Sequence, residues 1–320
     1  MSEPVRWGLL STARINEAIL EGARQSERTE VVAVASRDQA RADAYARERG
    51  IERAHGSYEA LLEDADVDVV YNSLPNSLHV EWTIRALDAG KHVLCEKPMD
   101  RRVAAVERAF DTAESAGRLV MEAFMYRHHP QSIKAEELVR GGAIGELRQL
   151  RSRFSWTLED AADVRLFPEL DGGALMDLGC YCISMQRLLA GEPQLVFGRQ
   201  RTGETGVDLG FTGLLEFAGD VFGEFQCGFD LPEANELEAV GSEGTLVVRD
   251  PVRCRDPHVE VDGVRIEVDD VDRYFLQVEN FSAAVRGEAE PLLGRADALG
   301  QVRAIEALYR SAATGVAVSL

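Results

Sequence analysis

Short apolar runs alternate with stretches of helical periodicity through Ala123. Val5-Arg6-Trp7-Gly8-Leu9-Leu10 predicts a buried strand and Arg14 to Arg24 a helix. Glu30 to Ala35 predicts a second strand, followed by a helix from Gln39 to Arg49. Val67 to Tyr71, His92 to Cys95 and Leu119 to Ala123 predict further strands, with helices at His79 to Ala89 and Val103 to Ala116 between them. Strands separated by helices of about 10–15 residues imply right-handed crossovers and a parallel, doubly wound sheet, the α/β arrangement of a Rossmann domain. Ligands of such sheets lie beyond the carboxyl ends of the strands.

The pattern changes after Gln131. A helix to Arg140 leads through a glycine-rich turn into Glu146 to Trp156, which alternates like a strand. More alternating runs follow: Leu195 to Arg201, Leu209 to Phe217, Val221 to Phe229, Glu236 to Val240, Thr245 to Arg249 and His258 to Val268. Turn signals such as Ala218-Gly219-Asp220 and Asp262-Gly263 separate them. Consecutive short strands predict a mostly antiparallel, open sheet of α+β type. Helices at Ala174 to Leu189, Tyr274 to Arg286 and Ala296 to Ala313 should cover one face, leaving the other for subunit association. The expected division is a cofactor domain at 1–125 and a substrate-binding and oligomerisation domain at 126–320, whose last helix packs back on the first.

Length and composition set limits. At 320 residues with 45% apolar content the chain can bury two cores. No apolar stretch approaches the roughly 20 residues of a membrane span. The N-terminus enters the first strand without a basic and apolar leader, so the expected location is cytoplasmic. Five cysteines have no metal-binding spacing and are expected to be reduced; no metal is expected. A net charge of −20 opposes nucleic acid as a partner and hints at a salty habitat.

Polar groups gather after the strands. Ser11-Thr12-Ala13-Arg14-Ile15-Asn16 stands where a dinucleotide fold carries G-x-G-x-x-G, with small residues or Asn16 at the glycine positions. On its own this fits an ordinary strand–helix turn equally well. The second strand ends in Ser36-Arg37-Asp38, where an NAD site normally has an acid. Ser36 and Arg37 suit a ribose 2′-phosphate, so NADP is expected in preference to NAD. Ser73-Leu74-Pro75-Asn76 precedes His79 in the first turn of a helix, and helix capping alone would explain that loop. Phe124 to Pro130 is dense in polar and aromatic residues at the domain junction.

Lys97 lies in Glu96-Lys97-Pro98 and is one of three lysines beside 32 arginines. A partly desolvated lysine can relay a proton near neutral pH, and arginine cannot. Rarity alone also fits chance. His129 is the next candidate base.

Arg6 to Ile15, Leu74 to His79, Glu96-Lys97-Pro98, Glu122 to Arg127 and Gly172-Gly173-Ala174-Leu175-Met176-Asp177-Leu178-Gly179-Cys180-Tyr181 form five ordered blocks. They resemble the glucose–fructose oxidoreductase, inositol dehydrogenase and rhizopine-catabolism (Gfo/Idh/MocA) family over essentially the whole chain. The most similar branch holds trans-dihydrodiol dehydrogenase, NADP-dependent D-xylose dehydrogenase and glucose–fructose oxidoreductase, and tolerates Ser and Ala in the glycine loop. Asn16 departs from the general pattern.

The resemblance implies Lys97 and Tyr181 as a catalytic pair with Asp177. It also implies Arg165 at the cofactor with Glu96, and Tyr126, Arg127 and Phe154 on the substrate side. A spacing of four should put Asp177 and Tyr181 on one helix face. Inositol dehydrogenases have histidine in place of Tyr181, which points away from cyclitols. The implied activity is NADP-dependent hydride transfer at a sugar carbinol carbon, taking an aldose such as D-xylose or D-glucose to its lactone. The alternatives are a dihydrodiol dehydrogenase, a ketosugar reductase, or a silent NADP-binding regulator, since a fungal galactose-regulon repressor uses the same scaffold. Lys97 and Tyr181 favour catalysis. Small-molecule substrates and a homodimer or homotetramer through the open sheet face complete the expectation.

Overall fold

The structure is a computed structural model that describes residues 3–320. The chain divides into two compact units, residues 1–125 with 272–299, and residues 126–271 with 300–320.

The first unit is built on β1 (Val5–Leu9), α1 (Asn16–Arg24), β2 (Thr29–Ala35), α2 (Gln39–Arg49), β3 (Arg53–His55), α3 (Tyr58–Leu62), β4 (Val69–Asn72), α4 (His79–Asp88), β5 (His92–Cys95), α5 (Val103–Ala116) and β6 (Val120–Glu122). Its six strands are all parallel, in the order β3-β2-β1-β4-β5-β6. Trp7, Leu9, Val69, Val70, Tyr71, Val93 and Leu94 are fully buried. Helices on both faces leave no polar side to these strands, so their sequences run apolar instead of alternating. The sequence pattern had no signal for β3 and α3, which are too short to show a period.

The second unit contains α6 (Pro130–Arg140), β7 (Leu147–Thr157), α7 (Cys180–Ala190) and β8 (Pro193–Thr202). It continues with β9 (Asp208–Phe217), β10 (Val221–Gly228), β11 (Asp230–Gly241), β12 (Thr245–Arg249), β13 (His258–Val261), β14 (Val264–Glu267) and β15 (Val318–Ser319). The nine strands run in the order β14-β13-β12-β11-β7-β10-β9-β8-β15. Neighbours are antiparallel except β7 with β10. The His258 to Val268 run is a hairpin, turned by Asp262 and Gly263 with φ of 50° and 78°. That signature matches the tight turn its sequence predicts. On β7, Leu150, Ser152 and Phe154 are buried on the side of α7, while Arg151 and Arg153 are exposed.

Two helices follow, α8 (Arg273–Val285) and α9 (Arg295–Thr314). The expectation that α8 covers the antiparallel sheet is corrected, because it folds with the first unit. A Cβ on Gly22 would lie 2.7 Å from the Phe275 nitrogen, so α1 and α8 approach backbone to backbone. Trp7 Nε1 donates to Ser282 Oγ at 3.0 Å, and Thr29 Oγ1 lies 2.7 Å from the same hydroxyl. An amphipathic pattern shows that a helix has a buried face, but not which surface receives it.

Candidate active site

In the first unit the loops after β1 and β4 are tied by buried side chains. Asn16 is fully buried; its Nδ2 donates to the Ser11 carbonyl at 2.7 Å and its Oδ1 accepts from Ser73 Oγ at 2.7 Å. Ser11 Oγ lies 2.7 Å from Ser73 Oγ and accepts from the Ala13 amide at 3.0 Å. Residues Thr12 to Ile15 form the turn into α1, and no side chain caps that helix. Asn16 thus replaces the freedom of a glycine with a fixed clamp.

Ser36 is buried at the end of β2, and Arg37 is exposed. Asp38 is spent as the N-cap of α2, accepting from the Arg41 amide at 2.8 Å. Among the described residues Arg37 enters no ion pair.

The loop from Ser73 to Asn76 leads through a short turn into α4. Fully buried His79 joins it to the loop after β5, with Nδ1 2.9 Å from the Pro98 carbonyl and Nε2 2.7 Å from the Leu74 carbonyl. Burial lowers its pKa, against the pull of these two carbonyls. Glu96 accepts from Tyr71 Oη and, at 3.3 Å, from the Lys97 amide. The Lys97–Pro98 bond is cis, and the Met99 amide is anchored on Glu122 Oε1 at 2.8 Å. Lys97 is half-buried. Tyr274 on α8 belongs to the same surroundings: burial, then the Glu96 charge, pushes its hydroxyl up to about 12.

The second unit carries the remaining candidates. Gly173 has φ 125°, and a Cβ on Gly172 would lie 2.3 Å from the Arg165 carbonyl, so both positions need glycine. They open a π-helical turn, Leu175–Gly179, which runs directly into α7. Asp208 Oδ2 accepts from the Leu175 amide at 2.6 Å and Oδ1 accepts from Tyr309 Oη at 3.0 Å, fixing the start of that turn. Asp177 therefore sits in a widened turn and Tyr181 in the α-turn after it, so one regular helix face does not describe the pair; such bulges recur at functional positions.

Arg165 Nε donates to Asp177 Oδ2 at 2.6 Å, and Nη1 lies 3.2 Å from Asp163. The Asp177 charge raises the Arg165 pKa further. The Tyr181 ring is 5.8 Å from that of Tyr126 and 5.5 Å from that of Phe154. Tyr126 is locked by its hydroxyl, which donates to Ser184 Oγ at 2.8 Å. Arg127 lies half-buried in the turn Met125–His128. His129 is the N-cap of α6, its Nδ1 accepting from the Gln131 amide at 3.1 Å, which gives it a structural task.

Residues 5–124 match the oxidoreductase family with an NAD-binding Rossmann fold, and residues 132–247 the GFO/IDH/MocA C-terminal domain. D-xylose 1-dehydrogenase (NADP(+)) 2 of Haloferax volcanii is 40% identical over 98% of this chain and 99% of its own. The chain belongs to the Gfo/Idh/MocA oxidoreductase family. Another family member, the trans-1,2-dihydrobenzene-1,2-diol dehydrogenase of Macaca fuscata fuscata, is 35% identical over 78% of this chain and 76% of its own. A 3-ketoreductase from Actinomadura kijaniata, solved with NADP and TDP-benzene, superposes with a TM-score of 0.91 at 32% identity, covering 96% of this chain and 98% of its own. As a Gfo/Idh/MocA protein the chain is an NAD(P)-dependent dehydrogenase or reductase acting on CH–OH groups. No described helix is long and apolar enough to cross a membrane.

Two structural residues of this Gfo/Idh/MocA site escaped the sequence reading. Asp208 lies in a strand far from the glycine pair it braces, and Tyr274 on a helix assigned to the wrong unit. Neither carries a local motif.

Proposed function

We propose that the protein is an NADP-dependent aldose dehydrogenase, oxidising the C1 hydroxyl of a sugar such as D-xylose or D-glucose to the lactone, with Lys97 and Tyr181 as the catalytic pair. The observation that carries this reading is the environment of Tyr181: a phenol braced by two aromatic rings, on the helix that follows the π-turn of Asp177, a carboxylate fixed by Arg165. The full-length likeness to a D-xylose dehydrogenase supports the aldose.

The residues fit the phosphorylated cofactor. Arg37 is exposed without an ion pair among the described residues, and the acid beside it is committed to capping α2. A guanidinium can therefore meet a 2′-phosphate with two parallel hydrogen bonds. Ser11 to Ile15, Ser73 to Asn76, His79 and Glu96 would line the rest of the cofactor site in the first unit, and Arg165 is a further candidate contact to the cofactor. The nicotinamide of a bound cofactor would supply the hydride acceptor. Tyr181 receives the hydroxyl proton, made easier by the positive charge of Lys97, which also orients the substrate oxygen. Asp177 accepts a hydrogen bond from a neighbouring sugar hydroxyl, with Tyr126, Arg127 and Phe154 closing the substrate side. Reduction of a ketosugar would use the same groups in reverse, and the likeness to a 3-ketoreductase makes that direction the second reading.

The test is absorbance at 340 nm with NADP or NAD and a panel of aldoses, ketosugars and cyclic diols, run in both directions. Aldose turnover with NADP preferred roughly ten- to a hundred-fold is expected. Lys97→Arg and Tyr181→Phe should each lower kcat at least about a hundred-fold. Near-native turnover in Lys97→Arg would remove the proton-relay role. Turnover of diols or ketosugars alone would replace the substrate assignment.

A further inference from the structure

Trp156 is the last large side chain of β7, two residues beyond Phe154 and on the same face of the strand. Its ring stands edge-on to Phe154, with centroids 5.3 Å apart and planes at 75°, and lies 6.1 Å from Phe229. Phe154 is 3% exposed and in turn meets Tyr181 edge-on. Trp156 is half-exposed. The aromatic row that begins at Tyr181 therefore emerges at the surface with one indole.

Arg253 overhangs that end. Its guanidinium carbon is 5.7 Å from the Phe154 centroid and 5.6 Å from that of Trp156, within cation–π range. The loop that holds it is constrained, because Asp250 and Cys254 both adopt left-handed φ of 51°, which costs energy for residues with a side chain. Buried Val252 and Cys254 pin the loop from below. Arg253 pairs with Glu233, which also accepts from Arg255 at 3.1 Å, and Arg255 pairs with Asp250 at 2.6 Å. Two arginines and two carboxylates leave this rim without net charge.

We propose that Trp156 and the Arg253–Glu233 pair form a sugar-holding platform that determines substrate specificity for a neutral pyranose at Tyr181. The negative face of an indole attracts the polarised C–H bonds on one side of a pyranose ring. Arg253 donates to hydroxyl oxygens and Glu233 accepts from hydroxyl protons, so the rim reads hydroxyls in both senses. Its cancelled charge gives no advantage to a sugar phosphate, a nucleotide sugar or a uronate. A cyclic diol has no further hydroxyls for the rim to bind. The assignment rests on the aldose reading above.

The test combines steady-state kinetics with calorimetric titration of D-xylose and D-glucose into the NADPH-saturated protein, where no aldose can be oxidised. Trp156→Ala should weaken Kd and raise KM at least about tenfold, with kcat within roughly threefold, and Trp156→Phe should restore most of the loss. Arg253→Met should weaken D-xylose at least about threefold and leave cis-1,2-cyclohexanediol unchanged. Unchanged Kd and KM in Trp156→Ala, or a fall in kcat alone, would overturn the platform while leaving the aldose reading intact. Trp156-dependent aldose binding by a protein that turns over no aldose would uphold the platform and sink that reading. Equal losses for sugar and diol in Arg253→Met would overturn the role of the rim.

Discussion

Arg165 donates to Asp177 across 2.6 Å while Asp163 holds its other end, and the Asp177 side chain keeps only 13% of its exposure. Removing one partner of a largely buried ion pair leaves the other charge uncompensated, which costs more than the pair contributes. Partial exposure of Arg165 softens that cost. Arg165→Met is expected to lose about 1–3 kcal/mol of stability and at least about tenfold in kcat/KM. Chemical denaturation and aldose kinetics check this. A variant of unchanged kcat/KM would show that the orientation of Asp177 does not matter to turnover.

Asn16 offers a different kind of test, because the substitution that restores the common fingerprint should be harmful. Asn16→Gly removes the bonds to the Ser11 carbonyl and Ser73 Oγ in a fully buried place. Unmet buried groups cost about 1–3 kcal/mol. A lower Tm and weaker NADP binding, read by direct titration, are expected. Tighter cofactor binding by the Asn16→Gly variant would mean that the clamp is not needed.

Legibility in the sequence followed the range of the interactions involved. The parallel sheet was readable because burial on both faces leaves unbroken apolar runs such as Val69 to Tyr71. The open sheet was readable from alternation, as in Leu150, Arg151, Ser152, Arg153 and Phe154. The candidate loops stood out because they follow strand ends. Partnerships between distant residues were not. Arg165 with Asp177 is a contact between a loop and a helical turn, and no period encodes it. The π-turn at Leu175–Gly179 was equally hidden, since it depends on Asp208 and on close packing of Gly179 against Leu175 and Cys227. Helix α8 showed its apolar face, but the groups it packs against, Gly22, Trp7 and Thr29, are remote in the chain.

The face of the second sheet opposite α7 combines paired charges with isolated apolar groups. Arg151 bridges Glu224 and Glu238, and Arg153 bridges Glu236, around a depression of about 590 Å³. Leu214 and Phe222 are 51% and 55% exposed on adjacent strands of this face. A face on which Arg151 and Arg153 are both paired and which exposes two large apolar groups suits a second copy of the same surface across a two-fold axis. Light scattering of the intact protein is expected to give at least a dimer at micromolar concentration. The double variant Leu214→Asp, Phe222→Asp should shift it toward monomer without loss of fold. A monomeric parent protein would end the idea.

His128 should make the protein lose stability in mild acid. It is buried in the turn before α6, and among the described residues its Nε2 has no hydrogen-bond partner. Burial, then the neighbouring Arg127 charge, lowers its pKa to about 3 from the ordinary 6.5. The unfolded chain therefore takes up a proton near pH 6.5 that the folded chain refuses until about pH 3. Stability from this group is complete above pH 6.5 and falls as pH drops through that window, by up to about 1.4 kcal/mol per pH unit. His92, lowered to about 4 by burial and Arg118, adds to the same slope. Between pH 7 and 5 most carboxylates remain ionised, so histidines dominate the change. The expected result is a Tm that falls steadily over that range. His128→Met should keep near-parental stability at pH 8 and flatten the decline, because it removes a titrating group that has no bond to lose at Nε2. Parallel Tm-versus-pH curves for the parent and His128→Met would show that His128 is protonated at no cost to the fold.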